Sequence, residues 1–219
     1  MSTKIEYQNI FDKPISANQA AIMKDYSKLI YENNELKKIE YYYGGNFSYG
    51  EYFLSTNENL ITLLESLDQK THWSIFSNKQ IVNSYEIWEG RIYNDNNDSN
   101  SLFTKNVFGT DGRLITTQEY SSNIQNPLNS IKTYYLGGLD IIENDEVIGV
   151  FDYDTSITFY FNENGEIESI DPSTSDGIDD TYQSLSRFLE LESGGPLLHH
   201  MTPEMLAYYT NREPLVPNF

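Results

Sequence analysis

The chain has 219 residues, no cysteine, 33 Asp plus Glu against 14 Lys plus Arg, a formal net charge of -19 and an isoelectric point near 4.3. Lack of cysteine excludes a disulfide framework, a Cys-ligated zinc site, an iron–sulfur cluster and a thiol nucleophile. The negative charge argues against direct contact with a phosphate backbone. An aromatic share of 14% marks a folded chain despite a mean hydropathy of -0.54, and 22 Asn predict many turns. Residues 1–12 carry Lys4, Glu6 and Asp12 around no apolar core, unlike a signal peptide. No apolar run approaches the ~20 residues of a membrane span, so a cytoplasmic protein is expected.

In chain order, Ala20, Ile22, Met23, Tyr26, Leu29 and Ile30 recur at helical spacing and predict a helix over 16–31 with Ser16 as its N-cap. Asn33-Asn34 breaks the pattern. A strand follows over 36–43, Gly44-Gly45 ends it, and 47–54 returns. Thr56 or Asn57 caps a second helix over 58–68. Short strand-like runs cover 73–76, 81–88 and 91–93, and 94–101 reads as a polar loop. Asp111-Gly112 and Asn164-Gly165 are hairpin-turn signals between alternating segments. Strands are expected at 131–136, 147–153, 156–161 and 166–170, and a third helix over 179–191. Thr202-Pro203-Glu204 is a helix start, with Pro at the first helical position. Turn-then-strand pieces echo one another at 33–41, 110–120 and 162–171, as an antiparallel meander would produce. The expected fold is α+β: one domain over 1–219, an antiparallel β-sheet meander packed against three to four helices.

Chemistry-bearing motifs are scarce. His72, His199 and His200 form no metal-binding spacing, and adjacent histidines on an extended segment point to opposite faces. The loop from Asp95 to Ser99 begins like a calcium loop. It carries Asn100 where glycine is required and Asn106 where a bidentate Glu is required. The run 171–182 fails likewise, with Asp176 and Tyr182 at those places. Phosphate-cradling glycine loops and a nucleophile elbow are absent from the sequence. No catalytic residue, cofactor or metal is expected, and no enzyme activity. A carboxylate-dependent enzyme is the least favoured alternative, since 33 acids always offer some pair.

The charge is concentrated. Residues 140–192 hold 15 acids and one base, Arg187. Such a run is either a solvated face or a surface built to meet a basic partner. The partner-binding residues expected are Glu143, Asp145 and Glu146 in one turn, and Asp176, Asp179 and Asp180 ahead of the third helix. A helix-capping role for Asp179 or Asp180 is the alternative there. Tyr41, Tyr42, Tyr43, Tyr49, Tyr52, Tyr134 and Tyr135 lie on expected strands. If the acids are only a solvated face, this tyrosine-bearing sheet is the alternative interface.

Residues 149–192 carry a further pattern: Gly149-Val150-Phe151, the strand Ile157-Thr158-Phe159-Tyr160-Phe161, the turn Asn164-Gly165, a strand to Ile170, an acidic loop, and a helix reading Tyr182-Gln183-Ser184-Leu185-Ser186-Arg187-Phe188-Leu189. This resembles the C-terminal half of SUKH-superfamily immunity proteins, which neutralise toxins of bacterial polymorphic toxin systems. The resemblance implies a cytoplasmic immunity protein that blocks a cognate toxin, a basic nuclease-type effector, by stoichiometric binding. An acidic inhibitor suits such a toxin, because complementary fields speed capture. A DNA mimic or an acidic adaptor outside toxin systems is the runner-up.

Overall fold

The structure is a computed structural model. It describes residues 2–10, 12–67, 72–94, 97–98, 102–121, 126–143, 146–152, 155–174, 177–178, 181–192 and 196–219. The chain is mostly a large mixed β-sheet, and its helices are short pieces of four to eight residues. This overturns the α+β expectation of an antiparallel meander packed against three to four helices. Two compact units are present, Met1–Gln80 with Trp88–Phe103, and Ile81–Ile87 with Thr104–Phe219.

The first unit contains β1 (Thr3–Gln8), β2 (Pro14–Ile15), α1 (Ala17–Met23), β3 (Tyr26–Glu32), β4 (Glu35–Tyr43), β5 (Asn46–Phe53) and α2 (Leu60–Ser66). It also takes most of β6 (His72–Val82) and β7 (Tyr85–Asn94), and β8 (Asn97–Asp98). Its strand order is β6-β5-β4-β3-β1-β2. The turns set this order. Asn33-Asn34 and Gly44-Gly45 each place two successive residues at positive φ (51° and 69°, 59° and 80°). That is the two-residue hairpin geometry whose twist matches the flanking strands. The β6–β7 hairpin turns in the same way at Asn83-Ser84.

The expected helix over 16–31 stops halfway. Ser16 caps it through a reciprocal capping box with Gln19, but Lys24 takes a left-handed φ of 67° and closes it. Only Ala20 of α1 is buried, and Ile22 is 78% exposed, so the helical periodicity was accidental. Residues 26–32 alternate in burial as β3 instead. The second helix is capped by Asn59, whose side chain accepts from the Ile61 and Thr62 N–H groups, rather than by Thr56 or Asn57. It links β5 to β6, which pair in parallel, and such a pair needs a crossover connection. The expected polar loop at 94–101 contains β8, paired with β7.

One face of this sheet is aromatic. Register sets Tyr7, Lys28, Glu40, Gly50 and Trp73 in one row across β1, β3, β4, β5 and β6. Gly50 is required there, because a Cβ would lie 2.2 Å from the Trp73 ring. Trp73 and Ile75 then form a core with Leu67 and Tyr93, flanked by Leu60, Leu63 and Leu64 of the α2 region. Behind β4, the buried Lys37 ammonium donates to the Phe53 carbonyl (2.9 Å), to Ser55 Oγ (2.8 Å) and to Glu58. Burial raises the Glu58 carboxyl, but the bonds from Lys37, Ser55 and Tyr52 outweigh it and hold the group below its ordinary value.

The second unit contains β9 (Leu102–Phe108), β10 (Leu114–Ser121), β11 (Asn129–Tyr135), β12 (Asp140–Glu143), β13 (Glu146–Val150), β14 (Ser156–Phe161), β15 (Ile167–Thr174) and β16 (Gly177–Ile178). Three helices follow: α3 (Leu185–Glu192), α4 (Pro196–His199) and α5 (Pro203–Tyr209). The strand order is β16-β15-β14-β11-β10-β9, with β12 and β13 as a separate two-stranded sheet. The Asp111-Gly112 and Asn164-Gly165 signals are genuine turns. Gly109 N–H donates to the Arg113 carbonyl and Asn162 N–H to that of Glu166, with Gly112 and Gly165 at φ near 80°. Thr202 caps α5 with Pro203 at its start, as its sequence predicts. The third helix begins at Leu185, not 179, and Ser184 Oγ accepts the Arg187 N–H at its start.

Phe159, Phe161, Ile157, Ile170 and Tyr134 of this sheet bury against Tyr182, Phe188, Tyr208 and Tyr209. Within that apolar face stands Lys132, fully buried. Its ammonium donates to the carbonyls of Tyr208 (2.9 Å), Asn211 (2.8 Å) and Pro214 (2.8 Å). It also lies 3.7 Å from the centre of the Tyr208 ring. All three donors of the ammonium are therefore used, and the segment after α5 is sewn to β11. Gln118 adds a bond to the Arg212 carbonyl, and Arg212 donates to the Glu163 carbonyl. Burial pulls Lys132 down to about 7, with the Glu213 charge acting the other way.

Two outcomes follow. Between pH about 7 and about 10.4 the unfolded chain holds a proton at Lys132 that the folded chain has lost, so stability should rise with pH there. The steepest slope is about 1.4 kcal/mol per pH unit, and Lys132→Met should abolish it in urea unfolding followed across that range. Gly50→Ala should cost about 1–3 kcal/mol in the same assay, and Trp73→Leu in the same chain should recover part of that loss.

Candidate functional site

The first expected acidic cluster falls on the β12–β13 hairpin. Register pairs Asp140 with Val150, Ile141 with Gly149, Ile142 with Val147, and Glu143 with Glu146. Ile148 is the extra residue on β13, a β-bulge that twists the ribbon and breaks the regular in–out alternation. Ile141 packs at 3.5 Å against the position a Gly149 Cβ would take. Val147, Ile148 and Val150 are 60%, 59% and 56% exposed, so β13 offers water more than half of its aliphatic surface. Asp140, Glu146 and Asp152 are exposed beside them.

The base of the hairpin is anchored. Gly138 N–H donates to the Phe151 carbonyl and Phe151 N–H to that of Leu139, both at 2.9 Å. His200 Nε2 lies 3.0 Å from the Asp140 carbonyl oxygen, and its ring stands edge-on to Phe151. A carbonyl can only accept, so Nε2 carries the proton. His200 is thus committed to backbone support. Among the described residues no three His, Asp or Glu side chains gather as a metal site.

The structure brings Glu143 and Glu146 directly opposite each other, an arrangement that destabilises a strand pair. No lysine or arginine lies between Lys132 and Arg187 to relieve it locally in sequence. Asp145, Asp176, Asp179 and Asp180 lie outside the described residues, as does part of each calcium-like loop. The apolar exposure of β13 was not expected. Its signal was the run Val147-Ile148-Gly149-Val150, apolar without alternation, which reads as a buried strand.

The tyrosine-bearing strands are more self-contained. Tyr7, Tyr26, Tyr42, Phe47 and Trp73 form a ladder with ring centres 4.7–5.9 Å apart. Tyr26 and Tyr42 stack face to face at 9°, as do Tyr41 and Tyr49 at 14°. Their ring faces are turned on each other. Hydroxyls find internal acceptors: Tyr42 on Glu40 (3.0 Å), Tyr52 on Glu58 (2.7 Å), Tyr135 on the Leu114 carbonyl (3.0 Å). Burial, then neighbouring carboxylates, raises the Tyr42 and Tyr52 phenols far above their ordinary value, and Tyr49 goes up to about 12. Of the strand tyrosines singled out by sequence, Tyr134 is buried and Tyr43 is exposed.

No family model, curated protein or solved structure matches this chain. Among the described residues no helix is long and apolar enough to cross a membrane.

The opposed acids set a measurable expectation. Glu146→Lys converts a like-charge pair into an opposite-charge one and should stabilise the hairpin by about 0.2–1 kcal/mol. Hydrogen exchange of the amides at 140–150 should slow in that variant relative to the native chain.

Proposed function

We propose that this chain is a cytoplasmic immunity protein that neutralises a cognate bacterial toxin, a basic nuclease-type effector, by stoichiometric binding. The observation that carries this reading is the β12–β13 hairpin, which sets the exposed aliphatic side chains Val147, Ile148 and Val150 beside the exposed acids Asp140 and Glu146. A surface that gathers like charge around apolar side chains favours a cationic partner. The net charge of -19 supports rapid capture of such a partner. The resemblance of residues 149–192 to SUKH-type immunity proteins supports the same reading; its described residues form the end of β13, β14, a turn, β15, β16 and α3.

The test is growth. Expression of this chain together with the toxin encoded beside its gene should restore growth of a sensitive host, and the two proteins should co-elute at one to one. Asp145→Lys with Glu146→Lys should slow association at least tenfold and flatten its salt dependence without lowering the melting temperature. Native chain that leaves the host dying at full expression would overturn the proposal.

A further inference from the structure

Three β-branched side chains, Val147, Ile148 and Val150, are each more than half exposed on one five-residue strand. Exposed apolar runs of this kind mark interaction sites when polar residues rim them. The exposed polar residues beside them are acidic: Asp140 opposite Val150, Glu146 beside Val147, and Asp152 beyond. The bulge at Ile148 interrupts the regular ladder of β13, which blunts its edge against the addition of a partner strand. Recognition therefore falls to the side chains.

The occupant follows from charge. A second copy of this chain would set acid against acid, and no Lys or Arg of residues 133–186 is there to relieve it. A partner with an apolar cleft and a Lys/Arg rim meets both features together, the dry centre and the charged border of a specific interface.

We propose that Val147, Ile148 and Val150 are an apolar plug that enters a cleft rimmed by Lys and Arg on the partner protein. The proposal rests on the immunity reading for the identity of that partner. The acids of the hairpin steer the encounter, and the plug holds the complex. The two roles separate kinetically: rim charge governs association, the buried centre governs dissociation.

The probe is an amphipathic helical peptide with Leu on one face and Lys on the other, titrated into the isotope-labelled chain. Amide shifts should concentrate at residues 140–150. Val147→Ser with Ile148→Ser should weaken binding at least tenfold at unchanged melting temperature, and Ile148→Thr should weaken it less. Replacing the Leu residues of the peptide by Ser, or its Lys residues by Glu, should each abolish the shifts. Shifts centred elsewhere, full binding by the double Ser variant, or a dimer in sedimentation that disperses in that variant would overturn the plug. The growth assay separates the two readings. If native chain protects and the double Ser variant protects equally, the plug fails and the immunity reading stands. If native chain gives no protection, the immunity reading fails, and the peptide titration alone decides the plug.

Discussion

Backbone handedness at a few turns organises everything else in this molecule. Two successive left-handed residues at 33–34, 44–45 and 83–84 leave the chain only one cheap course, straight back along the strand it has just made. Once those reversals are set, register follows, and register decides which side chains share a face. Within the row that joins Tyr7 to Trp73, the register of β3, β4 and β5 is set by the turns at 33–34 and 44–45 together with the bulges at Ile30/Tyr31 and Tyr41/Tyr42. Asparagine supplies the left-handed conformation at 33, 34, 78 and 83.

The two units meet the same problem with the same device. Each contains a lysine on a strand face that packing has closed to water, Lys37 in one and Lys132 in the other. A buried ammonium is costly unless its three protons find acceptors. Both lysines reach acceptors where an element ends: Lys37 the Phe53 carbonyl closing β5 and the Ser55 hydroxyl beyond it, Lys132 the Tyr208 carbonyl in the last turn of α5 and the Asn211 and Pro214 carbonyls after it. Irregular backbone has carbonyls to spare, so lysine and loop satisfy each other. Lys37 also meets the carboxylate of Glu58, which keeps its charge matched, whereas Lys132 relies on carbonyl dipoles and a tyrosine face.

Much of this was legible in the sequence where chemistry acts over short range. Gly44-Gly45, Asp111-Gly112, Asn164-Gly165 and Thr202-Pro203 announce their turns and cap because their own torsions or side chains make the structure. The stretch from Tyr26 to Ile30 was misread because apolar residues at helical spacing can also alternate. The deciding event, the left-handed Lys24, carries no compositional mark. Nothing in the sequence marks Lys37 and Lys132 as buried, since their acceptors are supplied by segments far along the chain. On the hairpin, the acids of 143–146 were visible, but their direct opposition and the exposure of Val147 and Ile148 depend on a bulge that sequence does not encode locally.

The distance between Lys132 and its acceptors also orders the birth of the fold. Its three carbonyls lie 76 to 82 residues further along the chain. During synthesis, β11 and its neighbours leave the ribosome well before Tyr208, Asn211 and Pro214 exist, at elongation speeds of about 5–20 residues per second. Until then the ammonium belongs in water, and the face of β11 that carries it stays open. A nascent chain can align these strands while their hydrophobic side remains accessible for several seconds, a window in which a chaperone would find Phe159 and Phe161 uncovered. Arrival of the 208–214 segment brings the carbonyls and the aromatic cover of Tyr208 and Tyr209 in one event, so satisfaction of the ammonium and core closure coincide in time.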